Sequence, residues 1–270
     1  MAKLILLTLP IGNSEDISLR AKNALETGKY FFAEDTRTFR SFINLLGVNG
    51  TGKEILSFHD NQKIDRTKKL LEILNSGEDV YVVSEAGSPI VSDPAYPLVK
   101  FALSEGFEVD TLPGVSSVLV ALELSGLPPY PFTFHGFIPR DNKGEFFKNL
   151  MSGTHIFFES PLRAEKSLLE MTNLYPESQF AIARELTKKF QTVYRFVGKD
   201  FKSEDVVYKG EFVILINLDK GQKSGDFSKV SSLCREYMEG KGGIKLLSKI
   251  FSEILNEDAK KIYQSLTRKD

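Results

Sequence analysis

The amino-acid sequence predicts an α/β fold with two domains and a short helical tail. Apolar strands alternate with helical segments up to residue 114, and strands with fewer intervening helices follow up to residue 220. The apolar residues after the segment that ends near residue 226 recur at helical spacing only. We therefore expect a mainly parallel, helix-covered sheet in residues 1–114, a mixed α+β sheet in residues 115–220, and a linker with a helical tail in residues 221–270.

The strands of the first domain are short and almost wholly apolar, which is typical of strands buried on both faces. They are predicted at Leu4–Leu9, Tyr30–Ala33, Ile55–Phe58, Val80–Ser84 and Phe107–Leu112. A helix from Ile17 has Asp16 as its possible cap and ends at Gly28. Further helices are predicted at Thr38–Leu46, Arg66–Asn75 and Tyr96–Ser104.

The second domain begins after Pro113-Gly114 with a helix near Ser117–Leu124. Strands then follow at Phe132–Phe137, His155–Phe158, Phe180–Arg184, Thr192–Val197 and Phe212–Leu218, and we expect the last of them to pair antiparallel. The segment Lys220–Asp226 has no apolar period and is predicted as a linker. In the tail, an apolar stripe is predicted through Ile244, Leu247, Phe251 and Leu255.

Composition excludes several classes of protein. The 270 residues are 41% hydrophobic, with no apolar run long enough to span a bilayer and no signal-peptide pattern at the N-terminus. A single cysteine, Cys234, rules out an internal disulfide framework and fits a reducing compartment, so a cytosolic protein with no membrane partner is expected. The scattered histidines offer no metal-ligand spacing, and none is expected to hold a metal. The net charge of −1 gives no overall basic field for nucleic acid, and no DNA partner is expected.

The segment after the strand at Val80–Ser84 has the composition of a binding loop. Ligands of open α/β sheets bind beyond the carboxyl ends of strands, and a glycine there permits close approach of a bulky ligand. The candidate ligand-binding residues of this loop are Ser84, Glu85, Ala86, Gly87, Ser88, Val91 and Ser92. An ordinary connection between a strand and a helix also explains this loop.

Two further loops follow the first and fifth strands of the same sheet. They contribute the candidate residues Pro10, Gly12, Pro113, Gly114, Ser116 and Ser117. Because carboxyl ends of parallel strands meet at one edge, the three loops can wall a single pocket. Ordinary turn chemistry explains each loop taken alone, but explains all three together less well.

Eight short motifs occur in a fixed order along the chain. They are LPIGN, AEDTR, SFHDN, SEAGSPIVSDP, LPGVSS, GFIPR, FFESPLR and ARELTK. This set resembles the ribosomal RNA small subunit methyltransferase I family, within the tetrapyrrole methylase superfamily. The resemblance implies a two-domain fold with S-adenosyl-L-methionine between the domains, a homodimer, and 2′-O-methylation of a cytidine in the decoding region of small-subunit rRNA. It also implies that Glu159 and Ala183 contribute to the cofactor site.

The chain departs from the family pattern within the predicted cofactor loops. Glu85 replaces aspartate, Ser88 replaces threonine, and Ile90 and Ala95 stand where the family has glycine. Two further positions differ in the loop after the fifth strand, and the histidine motif is one residue shorter than usual. Ile90 and Ala95 add bulk beside the expected cofactor loop.

Methyl transfer to a ribose hydroxyl benefits from a positioned general base. The candidates are Glu34, Asp35, His59 and Glu185, each within a motif of the resemblance. Glu34 and Asp35 follow the second strand, where a carboxylate also caps the next helix, and His59 also fits a hydrogen-bonded loop position.

RNA contacts are expected from arginine, whose planar guanidinium binds phosphate in a bidentate manner. The candidates are Arg37, Arg140, Arg184 and Lys188. Arg163 is expected instead to pair with Glu159 at the start of a helix. Phe137, Phe39 and Phe58 are candidates for stacking on bases, although most phenylalanines fill cores. The lysines of the tail fit either an RNA contact or a solubilising hairpin.

Two other functions fit parts of the sequence. One is a small-molecule methyltransferase acting on a tetrapyrrole or another planar substrate, which the AEDTR, SFHDN and ARELTK motifs disfavour by resemblance. The other is a ribosome-binding relative that has lost catalysis, which the departures at Ile90 and Ala95 suggest. Binding of S-adenosylmethionine separates this binding protein from both enzymes.

Overall fold

A computed structural model describes residues 2–58, 66–92, 95–219, 227–240, 242–255 and 258–267. The chain divides into two compact units, Met1–Leu218 and Asp219–Asp270. Both sheets lie in the first unit, and the second contains helices. Within the described ranges, no helix has the length and apolar character needed to cross a membrane.

The first sheet has five strands that all pair in parallel, which confirms the predicted parallel sheet. Its strands are β1 (Lys3–Leu7), β2 (Tyr30–Ala33), β3 (Glu54–Ser57), β4 (Val80–Val83) and β5 (Glu108–Leu112). Their spatial order is β3-β2-β4-β1-β5. The sequence-adjacent strands β4 and β5 are therefore separated by β1, which the connection between them must cross.

Helices cover both faces of this sheet, which explains why its strands are apolar throughout. The helices are α1 (Leu19–Thr27), α2 (Thr36–Leu45), α3 (Arg66–Asn75) and α4 (Tyr96–Ser104). On one face, Leu7 packs with Leu25 of α1 and Phe39 of α2. On the other, Leu4 packs with Leu70 of α3 and Leu98 of α4. Removing these apolar side chains from water on both faces is the main force that holds this half together.

Helix α1 begins later than the sequence pattern indicated. Its N-cap is Ser18, whose hydroxyl accepts a hydrogen bond from Ala21 N at 3.1 Å, and the prediction of Asp16 as the cap was wrong. Asp16 ends a short 3₁₀ turn that begins at Ser14. The side chain of Asn13 accepts from Glu15 N at 3.1 Å and so starts this turn before the helix.

The second sheet is mixed, as predicted from the sequence. Its strands are β6 (Phe132–Phe137), β7 (Gly153–Glu159), β8 (Gln179–Arg184), β9 (Thr192–Val197) and β10 (Phe212–Leu218). In the order β6-β7-β10-β8-β9, only β6 and β7 pair in parallel, and the other neighbours are antiparallel. Between Phe134 and Phe137, β6 contains one residue more than β7 does opposite it.

Three helices cover the second sheet. They are α5 (Ser117–Ser125), α6 (Lys143–Lys148) and α7 (Pro161–Leu174). On one face, Val118 and Leu122 of α5 pack against Ile156 and Val213. On the opposite face, α6 and α7 pack over Phe157 and Ile214. The sequence pattern did not locate α6, because its six residues are too short for helical periodicity to be recognised.

The second unit contains α8 (Phe227–Met238), α9 (Ile244–Leu255) and α10 (Ala259–Thr267). The helical character predicted for this region is confirmed. Leu246 and Ile250 of α9 are buried, whereas Ile244 and Phe251 of the predicted stripe remain exposed. The predicted linker Lys220–Asp226 lies outside the described residues.

A pair of imidazoles lies inside the second sheet. His155 donates from Nε2 to the carbonyl oxygen of Met151 at 2.8 Å, so its Nδ1 accepts from His135 Nε2 at 2.9 Å. The His135 ring stacks on Phe157, with centroids 4.9 Å apart. Burial, with a smaller contribution from His155, lowers the pKa of His135. The surroundings of His135 therefore favour its neutral form.

Acid is expected to destabilise the fold through His135. Because its pKa is lower in the folded state, the unfolded chain takes up the proton first as the pH falls below about 6.5, and stability contributed by the neutral ring is lost. We expect the free energy of unfolding in urea to fall less between pH 7 and pH 5 in His135→Gln than in the wild type. Equal slopes in the two proteins would contradict this assignment.

Candidate functional site

The order of strands in the first sheet creates a crevice at its carboxyl edge. Strands β1 and β4 are neighbours, but α1 follows β1 onto one face and α4 follows β4 onto the other. The two connecting loops therefore diverge, and the crevice between them is the usual place for a ligand in an open α/β sheet.

The loops after β1 and β4 are hydrogen-bonded to each other. Leu9 N donates to Gly87 O and Gly87 N donates to Leu9 O, both at 3.0 Å. Gly87 has φ +73°, a conformation that few other residues adopt without strain. The buried hydroxyl of Ser84 donates to the carbonyl oxygens of Ala86 and Gly87, both at 3.1 Å, and fixes the turn from within.

The loop after β5 packs directly against the first of these loops. Thr8 N donates to Leu112 O at 3.1 Å, which extends the pairing of β1 and β5 beyond the strands. A β-carbon on Gly114 would lie 3.0 Å from Thr8 Cγ2, a separation that requires the neighbour to shift. The structure thus brings the three predicted loops to one edge of the sheet.

A cavity of about 480 Å³ opens between these loops and the second sheet. This volume lies within the range of small-molecule sites. Its buried floor consists of Ile11, Gly87, Glu159, Ala183, Leu186, Phe212 and Val213. Its exposed rim consists of Glu85, Ala86, Val91, Ser92, Phe137, Gly210 and Glu211. The half-buried wall between them consists of Glu34, Ser88, Ser116, Ser117, Phe158, Ser160 and Pro161.

The charges on the cavity wall have one sign. Four glutamates, Glu34, Glu85, Glu159 and Glu211, line the part that the structure describes, which carries no lysine, arginine or histidine. Glu34 and Glu85 are in contact, since Glu85 N donates to Glu34 Oε2 at 3.4 Å. Such a wall attracts a cationic ligand and disfavours one that carries phosphates.

The negative charge of Glu159 is compensated within the protein. Its side chain is 0% exposed, and Oε2 accepts from Arg163 Nη2 at 2.9 Å and from Ser167 Oγ at 2.8 Å. The predicted ion pair with Arg163 is therefore present. Arg163 also donates to the carbonyl oxygen of Ile138, which ties the GFIPR segment to α7. This network holds the Glu159 carboxylate in one position at the floor of the cavity.

The LPIGN and ARELTK motifs meet at the junction of the two sheets. Asn13 N donates to Thr187 Oγ1 at 3.0 Å. A β-carbon on Gly12 would lie 2.8 Å from that oxygen and 2.9 Å from the carbonyl oxygen of Leu186, and it would also collide with Lys188. Thr187 has φ +61°, an unusual conformation for a β-branched residue. We call this contact of Gly12 and Asn13 with Leu186–Lys188 the junction clasp.

Ionic contacts support the clasp. Lys188 Nζ lies 3.2 Å from Glu185 Oε1 and 3.0 Å from Glu211 Oε2. Burial opposes the charge of Lys188, but Glu211 and Glu185 outweigh it and raise its pKa. The backbone N–H of Glu211 donates to Glu185 Oε1 at 3.0 Å and, with help from Lys188, lowers the pKa of Glu185 against the effect of burial. The carboxylate of Glu185 is therefore a weak proton acceptor.

Most of the predicted cofactor residues line the cavity. They are Glu85, Ala86, Gly87, Ser88, Val91, Ser92, Ser116, Ser117, Glu159 and Ala183. The others belong to the same three loops but do not line the cavity: Pro10, Gly12, Ser84, Pro113 and Gly114.

The candidates for the general base separate in space. Glu34 lines the cavity, whereas Asp35 caps α2 by accepting from Arg37 N at 2.7 Å and Thr38 N at 2.8 Å. The hydrogen bonds from Thr38 and Arg37 lower the pKa of Asp35. Glu185 lies outside the cavity lining, and His59 lies outside the described residues.

The predicted RNA contacts lie away from the cavity lining. Arg37, in the first turn of α2, and Arg140 are exposed. Arg184 donates from Nη1 to Phe190 O at 3.1 Å and from Nε to Lys209 O, so it holds two neighbouring loops in place. Lys188 belongs to the junction clasp.

Several lining residues were not among the sequence-predicted site residues. They are Ile11, Phe158, Ser160, Pro161, Leu186, Gly210, Glu211, Phe212 and Val213. Phe137, predicted only as a candidate for base stacking, also lines the cavity. Ile11, Phe158, Ser160, Pro161 and Leu186 lie within recognised motifs but were not singled out there, whereas β10 and the segment before it carry no motif. Only the register of the second sheet places them at the cavity.

The bulk added at Ile90 and Ala95 does not enter the cavity lining. Ile90 is 37% exposed, and Ala95 is fully buried at the start of α4 among core side chains. Among the described residues, no group of three or more histidine, cysteine, aspartate or glutamate side chains is placed to hold a metal ion.

Residues 3–201 match the family described as Tetrapyrrole (Corrin/Porphyrin) Methylases, and the chain is a member of this class. The crystal structure of uroporphyrin-III C-methyl transferase from Thermus thermophilus complexed with S-adenyl homocysteine has the same fold. It is 16% identical, with a TM-score of 0.54, and the match covers 80% of this chain and 97% of that one.

Closer relatives narrow the class. Ribosomal RNA small subunit methyltransferase I from Hydrogenobaculum sp. (strain Y04AAS1) is 37% identical over 222 residues, which cover 80% of this chain and 95% of that protein. The protein of the same name from Thermotoga maritima is 39% identical over 198 residues, which cover 72% of this chain and 88% of that protein. The chain belongs to the ribosomal RNA small subunit methyltransferase I family and is a methyltransferase.

Proposed function

We propose that this protein transfers a methyl group from S-adenosyl-L-methionine to small-subunit ribosomal RNA, at the 2′-hydroxyl of a cytidine in the decoding region. The acceptor follows from the ordered motifs that resemble the family, and the donor from the chemistry of the cavity. The protein is proposed to act as a cytosolic homodimer, with residues 1–114 and 115–220 as two domains that share the cavity.

The observation that carries the choice of donor is the charge of the cavity wall. S-adenosylmethionine supplies an electrophilic methyl group on a positively charged sulfonium. Glu34 and Glu85 provide negative charge around a cavity whose described wall has no basic side chain. Glu211, also on the rim, is paired with Lys188 and adds less. Backbone groups around Gly87 and the hydroxyls of Ser116 and Ser117 are available to hydrogen-bond the rest of the molecule. The residues present therefore fit this cofactor better than a nucleotide that carries phosphates.

The negative charge of the cavity wall also favours different places for the donor and for the RNA. Phosphates of an RNA backbone are repelled from the rim, but they suit the exposed cations Arg37 and Arg140 outside it. The polynucleotide is therefore proposed to remain on the surface, with its phosphates on these cations, while the ribose and base of one nucleotide reach the rim of the cavity. The residues of the chain chiefly hold the acceptor oxygen close to the donor and exclude water from it.

Glu34 is the proposed general base. It lies on the cavity wall and is half-buried, whereas the carboxylate of Asp35 is engaged by the N-terminus of α2 and that of Glu185 by the junction clasp. A carboxylate at this place can accept the proton of the ribose hydroxyl as its oxygen bonds to the methyl carbon; the donor's methyl–sulfur bond would break at the same time, with S-adenosylhomocysteine as the leaving group.

Methylation of purified small ribosomal subunits tests the proposed function. Subunits from cells that lack this activity are incubated with the protein and donor labelled in its methyl group. We expect label in 2′-O-methylcytidine after nuclease digestion. Label on another nucleoside would overturn the proposed acceptor, and donor binding with transfer only to a free tetrapyrrole would favour the small-molecule enzyme. A folded protein that binds neither the donor nor S-adenosylhomocysteine would favour a non-catalytic ribosome-binding relative.

Separate substitutions of Glu34 and Asp35 distinguish the general base from the helix cap. Glu34→Gln is expected to lower kcat by about 10²–10⁴-fold and to leave binding of S-adenosylhomocysteine within about threefold. Asp35→Asn is the matched control, because asparagine also caps helices, and its kcat is expected to remain close to that of the wild type. The assay is single-turnover methylation of subunits. Equal losses in both variants would contradict the role of Glu34.

A further inference from the structure

A phenylalanine ring lies exposed on the rim of the cavity. Phe137 is 58% exposed, although it lines the cavity, whereas the other two aromatic candidates do not line it: Phe39 is buried in the core and Phe58 packs against the other face of the first sheet. Single exposed apolar side chains are common on protein surfaces. This ring combines exposure with a place in the cavity lining, where a bound substrate can cover it.

The backbone of β6 is shaped to place this ring. In a regular strand, residues three apart point to opposite faces of the sheet. The extra residue between Phe134 and Phe137 changes this, and both rings contact Phe158, with centroids 4.9 Å and 5.6 Å away. Gly136 has φ +70° at this bulge. Bulges often re-aim side chains next to active sites.

The contact leaves much of the Phe137 ring available. Its plane is inclined by 68° to that of Phe158, which is an edge contact and not a stack. Among the described residues it has no other aromatic neighbour within contact range. An edge contact covers at most one face of a ring, so a planar group can stack on Phe137.

We propose that Phe137 is the stacking platform for the base of the acceptor nucleotide. This inference rests on the proposed function. The donor takes up the cavity of about 480 Å³, so the acceptor nucleotide reaches the methyl group at the rim, as a single nucleotide separated from its stacked neighbours. Proteins that bind unstacked bases commonly replace the lost stacking with an aromatic side chain. Phe137 is placed for this on the exposed rim, where a macromolecule approaches, and not on the buried floor.

Variants of Phe137 test the platform against two controls. Phe137→Ala and Phe137→Leu are expected to lower kcat/KM for small subunits by about 5- to 150-fold, the range for loss of one base–aromatic stack. Phe137→Trp is expected to restore most of it. Affinity for S-adenosylhomocysteine, measured by calorimetry, is expected to stay within about twofold, which also shows that the variants fold. Phe190→Ala removes a ring that is 63% exposed but outside the cavity lining, and no loss is expected.

Other outcomes would overturn the inference in distinguishable ways. Wild-type kcat/KM in Phe137→Ala, or full activity in Phe137→Leu, would show that no stacking platform exists. A parallel loss of S-adenosylhomocysteine affinity would assign the ring to the donor. A wild-type protein that binds S-adenosylhomocysteine but methylates no ribosomal RNA would overturn the proposed function and this inference with it.

Discussion

The cavity depends on the junction clasp. Residues from both sheets and their loops form the floor of the cavity. Gly12 and Asn13, which follow β1 of the first sheet, lie against Leu186–Lys188, which follow β8 of the second sheet. Ile11, next to them in the chain, is buried in the core of the second sheet beside Ala183 and Val213. A glycine is required here because a side chain would collide with backbone as well as with side-chain atoms, and backbone yields least. The close approach therefore fixes the distance between the two walls of the cavity.

The acidic wall and the clasp are connected through shared residues. Glu211 belongs to the cavity rim, but it also pairs with Lys188, and its N–H donates to Glu185. Lys188 is thereby held by the carboxylates of Glu185 and Glu211, and no basic side chain belongs to the part of the cavity lining that the structure describes. The ARELTK side chains, predicted from the sequence as RNA contacts and a base, take part in contacts within the protein: Lys188 with Glu185 and Glu211, and Arg184 with two backbone carbonyl groups.

The sequence predicted the parallel sheet well, because strands buried on both faces leave continuous apolar runs and their loops carry glycine, proline and serine. The sequence did not decide which of Glu34 and Asp35 is the base and which is the helix cap, since a carboxylate directly after β2 suits either role. The hydrogen bonds from Arg37 N and Thr38 N assign Asp35 to the cap of α2. Phe137 was one aromatic candidate among three. Its exposure depends on a bulge in β6, and a one-residue change of register leaves no signal in apolar periodicity. Glu211 and Val213 were missed for a similar reason, because antiparallel pairing with β8 brings them to the site.

The most direct measurement of the clasp is the affinity of Gly12→Ala for S-adenosylhomocysteine by calorimetry. Gly50→Ala is the matched control, since a β-carbon there would meet only Ile43 Cδ1, at an ordinary distance of 3.6 Å. If the clasp sets the cavity, Gly12→Ala loses affinity by about tenfold or more, equivalent to about 1.4 kcal/mol, and Gly50→Ala keeps it. Wild-type affinity in Gly12→Ala would show that the two sheets hold the cavity without this contact.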